Sequence, residues 1–258
     1  MMIPANKNRR LLLAGILVSQ ILLLTACSQT KSVKTASSSH SAIDHFENIN
    51  RKIFKANLAF DKYLFKPVAK TYKKVTPAPI DTSITNFFLN LGDIKNAANN
   101  LLQFKPGDAL KDTERFIFNS TFGLAGFLDV ATEMGLQKHK EDFGQTLATW
   151  GVPSGPYIML PFYGPSTLRD ASAKFTLDTL MDPAKYSDEK YALFVLEKLD
   201  KRADLLSTED AFKDLSDDQY IAIRDAWLQR REYLIKDGKT DAKEQSDLID
   251  ELEDLDDN

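Results

Sequence analysis

Between Gly123 and Gly164 the chain concentrates seven of its eleven glycines, and residues 151–165, GVPSGPYIMLPFYGP, add Pro153, Pro156, Pro161 and Pro165. No regular helix runs through such a segment, because proline removes a backbone donor and fixes φ while glycine loosens the chain. Yet Phe122, Leu124, Phe127, Leu128, Val130, Trp150, Tyr157, Ile158, Met159, Leu160, Phe162 and Tyr163 make it too apolar for a solvent loop. A buried backbone group left unpaired costs roughly 1–3 kcal/mol, so the segment must lie in protein or lipid with its polar groups satisfied locally. It reads as irregular backbone lining something. Gly151, Pro153, Gly155, Pro156, Pro161, Gly164 and Pro165 are the candidates for a gate loop.

The flanking sequence is helical in period. Ile43, Phe46, Ile53, Phe54, Leu58, Leu64, Phe65, Val68 and Tyr72 recur at helical spacing, with Pro67 predicting a break between two helices. Residues 43–74 also carry Arg51, Lys52, Lys55, Lys62, Lys66, Lys70, Lys73 and Lys74 against Asp44, Glu47 and Asp61, a local +5. Such a face suits the plane of an anionic membrane surface, and equally a core-packing helix with a solvated basic side. After TPAPID the apolar period resumes through Ile84, Phe87, Phe88, Leu91, Ile94, Ala98, Leu101 and Leu102, and a further helix is expected from about Gly107 to Phe118. Helices are expected again over about 167–181, 188–205 and 217–236, with Asp188 and Ser216 as caps. Tyr191, Phe194, Val195 and Leu199 share one face of the second, and Tyr220, Ile223, Trp227 and Leu234 mark the third. Strand signals are weak and neither a repeat nor a hinge divides the body, so the fold class is mainly α in a single domain.

The chain opens with Lys7, Arg9 and Arg10, then an apolar run from Leu11 to Leu24, then Leu24-Thr25-Ala26-Cys27. The run is shorter than the ~20 apolar residues of a permanent span and has the layout of a secretory signal. The tetrapeptide resembles the bacterial lipoprotein box, in which the cysteine is acylated and becomes the new N-terminus. Residues 1–26 are thus read as a signal peptide and Cys27 as a lipidation site. Acyl chains contribute about 0.8 kcal/mol per buried CH₂, so two or three would anchor the protein stably. Ser28, where an aspartate would retain the protein at the inner membrane, directs it to the outer membrane. Residues 27–42 are Ser/Thr-rich without apolar period and read as a flexible tether.

Beyond residue 26 the chain holds 30 basic and 37 acidic residues, and ten of the acids fall in residues 237–258 against Lys239 and Lys243. The body is therefore nearly neutral and the acidity is a solvated, disordered tail. No basic cluster interleaved with aromatics points to nucleic acid. Catalysis finds little support either. Ser154 sits in GVPSGP and not in a nucleophile elbow, and the only histidines are His40, His45 and His139, the last between Lys138 and Lys140, which suits an exposed position. With one cysteine and scattered histidines there is no metal-ligand spacing, and the glycines form no phosphate loop. Asp129, Asp142 and Asp170 are more plausible as caps and ion-pair partners than as a metal site. The protein is expected to be no enzyme and to use no cofactor beyond its covalent lipid.

Six motifs in order, FENINRKIF (46–54), NFFLNL (86–91), NNLLQ (99–103), RFIFNSTFGLAGFLDVA (115–131), EDFGQTLATWGVPSGPY (141–157) and LPFYGPSTLRD (160–170), closely resemble the VacJ/MlaA lipoproteins. The resemblance covers about residues 43–236. It departs at ASAK after Arg169-Asp170, where relatives often carry a glycine, and in the acidic tail. It implies amphipathic helices forming a membrane-embedded ring around a channel, on the periplasmic face of the outer membrane. It also implies removal of mislocalised phospholipids from the outer leaflet, partnership with trimeric porins, and delivery to the periplasmic carrier MlaC, so that lipid asymmetry is maintained. Polar residues in a channel wall would take the headgroup, and Arg169, Asp170, Arg51 and Arg202 are the candidates, each with a salt-bridge role as its alternative. A scaffold lipoprotein tethering a porin to a periplasmic partner is the competing expectation.

Overall fold

The computed structural model describes residues 43–207 and 218–239. Cys27, the signal peptide, the tether, Ser216 and nearly all of the acidic tail lie outside the described residues. Helix α1 (Glu47–Phe60) runs into a π-helical turn (Asp61–Phe65) and on into α2 (Lys66–Val75). Pro67 therefore does not break the helix as its chemistry predicts. The mismatch is absorbed one turn earlier, where Lys66 N–H reaches the carbonyl of Asp61 in an i→i−5 bond. Pro77 then precedes α3 (Ala78–Leu102), which turns over Gln103, Phe104 and Lys105 into the antiparallel α4 (Pro106–Thr121). Pairing of α3 with α4 is the most extensive helix contact in the structure.

The Gly/Pro-rich region is less irregular than its composition implies. It contains α5 (Val130–Glu133) and α6 (Phe143–Thr149), whose first amides are held by the cap carboxylates of Asp129 and Asp142. Strands β1 (Tyr157–Leu160) and β2 (Gly164–Thr167) form an antiparallel hairpin in which Met159 faces Pro165 and Leu160 faces Gly164. Two short strands hidden among glycines and prolines leave no run of alternation long enough to read.

The chain then forms α7 (Leu168–Phe175), capped by Thr167, and α8 (Leu177–Leu180). The single helix expected over 167–181 breaks at Thr176. A 3₁₀ turn (Pro183–Tyr186) leads to α9 (Lys190–Asp204), where the Ser187 hydroxyl, and not Asp188, accepts the Glu189 amide. Helix α10 (Gln219–Ile235) starts at the Asp218 cap, which accepts from the amides of Tyr220 and Ile221. Among the described residues no helix is long and apolar enough to cross a membrane.

The conventional core is small. Phe54, Tyr157, Met159 and Tyr220 are buried together, with Ile43, Ile53, Trp227 and Leu228 packed against them. Its aromatic rings meet edge to face, Phe54 with Tyr220 at 5.6 Å and Tyr157 with Trp227 at 6.2 Å. This cluster joins α1, β1 and α10, and so fixes the hairpin to the body.

Candidate functional site

Helix α3 is amphipathic, as its period predicts, but with the opposite sense. Its buried residues are Asp81, Asn90, Asp93, Asn96, Asn99 and Asn100, and none is apolar. On α4 the buried residues are Ala109, Asp112, Arg115 and Asn119. The apolar residues are half-buried or exposed: Ile84, Phe87, Phe88, Leu91 and Ile94 of α3 are half-buried, Leu101, Leu110, Ile117 and Phe122 are more than half exposed, and Phe104 in the turn is 88% exposed. Water around such a surface would penalise the exposed apolar residues, whereas apolar surroundings would not.

Burying this many polar groups requires that they pair. Arg115, 2% exposed, donates to both carboxylate oxygens of Asp129 at 2.9 and 3.0 Å, to the Thr132 hydroxyl at 3.0 Å and to the Leu136 carbonyl. Its Nε lies 3.5 Å from the fully buried Asp93, which Lys138 Nζ also approaches to 2.7 Å. Burial pushes the Asp93 carboxyl up and the Lys138 ammonium down, each opposed by the other's charge. Asp112 accepts from Asn100 at 2.9 Å and from the His139 amide at 3.1 Å. Of the stretch around His139 that reads as solvent-exposed, Lys138 and His139 thus turn inward while Lys140 stays exposed.

A second network centres on Arg231 of α10. It donates to Asp142 at 2.6 and 2.7 Å and to Asp170 at 2.9 Å through two nitrogens, and Arg169 Nε joins Asp170 at 3.0 Å. Burial pushes the Asp142 carboxyl up, but the Arg231 hydrogen bonds and charge hold it below the usual range. Gly144 is what lets the guanidinium in: a Cβ there would stand 2.4 Å from both Arg231 Nη2 and Asp170 Oδ1. Asp142, Asp170 and Arg231, together with Lys174, Asp178 and Trp227, line a cavity of about 200 Å³. A larger one, about 480 Å³, opens between Lys105, Lys138, His139 and Glu141 on one side and Tyr233 and Asp237 on the other.

The hairpin is held by side-chain amides. Asn50 donates to the Tyr157 carbonyl at 3.2 Å and accepts from the Met159 amide at 2.8 Å. Two helical turns on, Asn57 does the same to Leu160 (3.0 Å) and Phe162 (2.9 Å). Seven residues apart, the two amides share one face of α1 and stand in for a third strand along the free edge of β1. At the tip Phe162, with φ of +63°, packs edge to face on Phe60 at 4.8 Å.

Of the gate candidates, Gly151, Gly155 and Gly164 adopt positive φ, and Pro165 sits in the ladder of β2. Gly155, at φ +67° with its Cβ position 3.2 Å from Leu168, admits neither proline nor a larger side chain without strain. Pro153 and Pro161 are exposed, and Pro156 accepts the Leu168 amide at 3.1 Å. The headgroup candidates are dispersed. Arg169 and Asp170 share the Arg231 network, Arg51 pairs with Glu47 at 2.7 Å and Asp218 at 2.8 Å, and Arg202 grips Asp61 through two bonds at 2.7 and 2.9 Å. Asp142 and Asp170 meet through Arg231, while Asp129 belongs to the Arg115 network. Asn50, Asn57, Arg115 and Arg231 escaped sequence reasoning, although polar residues at three- and four-residue steps from Asn90 to Asn100 carried the signal for an inward polar stripe.

Residues 42–234 match the family model described as MlaA lipoprotein. A Rickettsia typhi protein is 33% identical over 73% of this chain and 76% of its own length. The Escherichia coli intermembrane phospholipid transport system lipoprotein MlaA is 31% identical over 83% of this chain and 88% of its own. A solved structure described as the structural basis for maintenance of bacterial outer membrane lipid asymmetry superposes with a TM-score of 0.67 at 34% identity, covering 74% of this chain and 98% of the other. With family model, relatives and fold in agreement, the chain belongs to the MlaA lipoprotein family.

Proposed function

We propose that this protein removes mislocalised phospholipids from the outer leaflet of the outer membrane and passes them to a periplasmic carrier of the MlaC type, keeping the membrane asymmetric. Acylated Cys27 anchors it to the periplasmic face of that membrane, and its helices form a ring around a channel in the inner leaflet, beside a trimeric porin. It performs no covalent chemistry and needs no cofactor; phospholipid is cargo. The observation that carries this reading is the inversion of α3 and α4, whose most buried residues are polar, Asp93, Asn96, Asn99, Asp112 and Arg115 among them, while Leu101, Leu110 and Ile117 are exposed. Such an exterior can lie against acyl chains while the polar groups stay paired away from them. The likeness to the E. coli phospholipid transport lipoprotein supports the same cargo.

The deciding measurement is surface-exposed phospholipid in a deletion strain, with and without the wild-type protein. A rise on deletion, reversed by wild type but not by Cys27→Ala, is expected. Unchanged surface phospholipid, with the protein correctly located, would favour a scaffold that joins a porin to a periplasmic partner without handling lipid.

A further inference from the structure

Three lysines from three elements converge on two aromatic rings. Lys174 Nζ of α7 and Lys198 Nζ of α9 lie 5.5 and 5.2 Å from the centre of the Tyr163 ring. Lys198 also stands 5.5 Å from Phe194, and Lys185 Nζ, from the 3₁₀ turn, approaches the same ring to 4.8 Å. Tyr163 and Phe194 are themselves 6.2 Å apart, and Phe175 closes on Tyr163 at 5.4 Å.

Among the described residues, none of these three ammonium groups has a carboxylate within salt-bridge distance, and the nearby acids are engaged elsewhere. Glu197 is held by Lys201, Asp142 by Arg231, and Asp178 accepts the Phe143 amide at 3.0 Å. Burial lowers the pKa of Lys174 and of Lys198, with Asp142 and Asp178 opposing at the first and Glu197 at the second. Among the described residues, positive charge is gathered here with only the rings and more distant carboxylates to offset it, which leaves room for a further anion.

We propose that Lys174, Lys185 and Lys198, on the Tyr163–Phe194 platform, bind the phosphate of a lipid headgroup and favour cargo whose headgroup is net anionic. A headgroup bearing its own ammonium would bring a fourth cation among three, whereas phosphatidylglycerol brings a single unopposed negative charge. Because Tyr163 lies in the turn between β1 and β2, a headgroup bound here would join the hairpin tip to α7 and α9. Cargo would thus be felt by the segment that the sequence singles out as a gate. This inference rests on the lipid-handling reading above and adds selectivity to it.

The test uses the full lipidated protein, purified in detergent micelles doped with equimolar phosphatidylglycerol and phosphatidylethanolamine, with the retained lipid quantified. Wild type is expected to enrich phosphatidylglycerol about tenfold, the scale of one uncompensated charge contact. Lys174→Ala/Lys198→Ala should lose the enrichment while still retaining lipid, and Lys174→Arg/Lys198→Arg should keep it, separating charge from packing. A wild-type ratio near one, or an unchanged ratio in the alanine variant, would overturn the proposal while leaving lipid handling intact. Millimolar inorganic phosphate should reduce the enrichment in wild type by competing for the same lysines while leaving the alanine variant unchanged; an equal response in both would overturn the proposal. If wild type retains no lipid at all, it is the underlying transport reading that fails.

Discussion

Phe54 and Asn96 are both less than a tenth exposed, yet they belong to interiors built on opposite rules. Around Phe54, α1, β1 and α10 bury rings against rings, although the same helices also bury Asn50, Arg224 and Arg231. Around Asn96, α3 and α4 bury amides and carboxylates more deeply than any large apolar side chain and leave Leu101, Leu110 and Ile117 exposed. Both use the same 3.6-residue period. Periodicity identifies a helix and its two faces, while the medium decides which face turns in. A single domain thus combines a small ring-packed core with a paired polar interior.

The contrast can be broken most sharply at Arg115. Its replacement by alanine leaves Asp93 and Asp129 without their shared cation, and removing one partner of a buried pair costs roughly 3–5 kcal/mol. Denaturant unfolding in detergent should register that loss, and a change below about 1 kcal/mol would mean the network is solvated like a surface. In the wet core Phe54→Ala should cost about 3 kcal/mol from lost packing alone. The two losses should differ in character as well: only that of Arg115→Ala should depend on pH.

A smaller effect sharpens the same point. Burial pushes the Asp129 carboxyl up, but bonds from Thr132, Asn119 and Arg115 outweigh it and hold the carboxyl at about 2 against an ordinary 3.8. A depressed carboxylate contributes stability above its unfolded value and loses it as pH falls through the folded one. The gap in stability between wild type and Asp129→Asn should therefore be about 2 kcal/mol near neutrality, narrow below about pH 4 and close near pH 2. A gap that widens on acidification would contradict the assignment. Smallest in stability is Phe104→Ser, expected within about 0.5 kcal/mol because the ring touches little protein. Partition of the protein into vesicles should nevertheless weaken by roughly 1.5–3 kcal/mol, the transfer value of that ring. Unchanged partition would place the α3–α4 turn away from lipid.

These outcomes bear on how much was legible beforehand. The helices were, because apolar residues from Ile84 to Leu102 mark a helical period whichever way they face. Helical period and weak strand signals carried the fold class, and the six motifs carried the family. What the period could not show was sense: the apolar stripe of α3 invites a core assignment, and only the run Asn90, Asp93, Asn96, Asn99, Asn100 hints otherwise. The hairpin was hidden for another reason. Its edge is paired by Asn50 and Asn57, more than a hundred residues earlier in the chain, so no local pattern could reveal it. Arg231 likewise closes its network across 61 and 89 residues to Asp170 and Asp142.

The π-helical turn at Asp61–Phe65 has a consequence for α1 and α2 together. One surplus residue in a helix rotates everything after it by about 100° relative to everything before. Helix α1 must aim Asn50 and Asn57 at the hairpin, while α2 must aim Tyr72 at Asp200 and Lys73 at Asp81. The wide turn works as an index mark between two dials. It sets the phase of one face against the other, so that a rod continuous in its axis can address two neighbours with independent bearings.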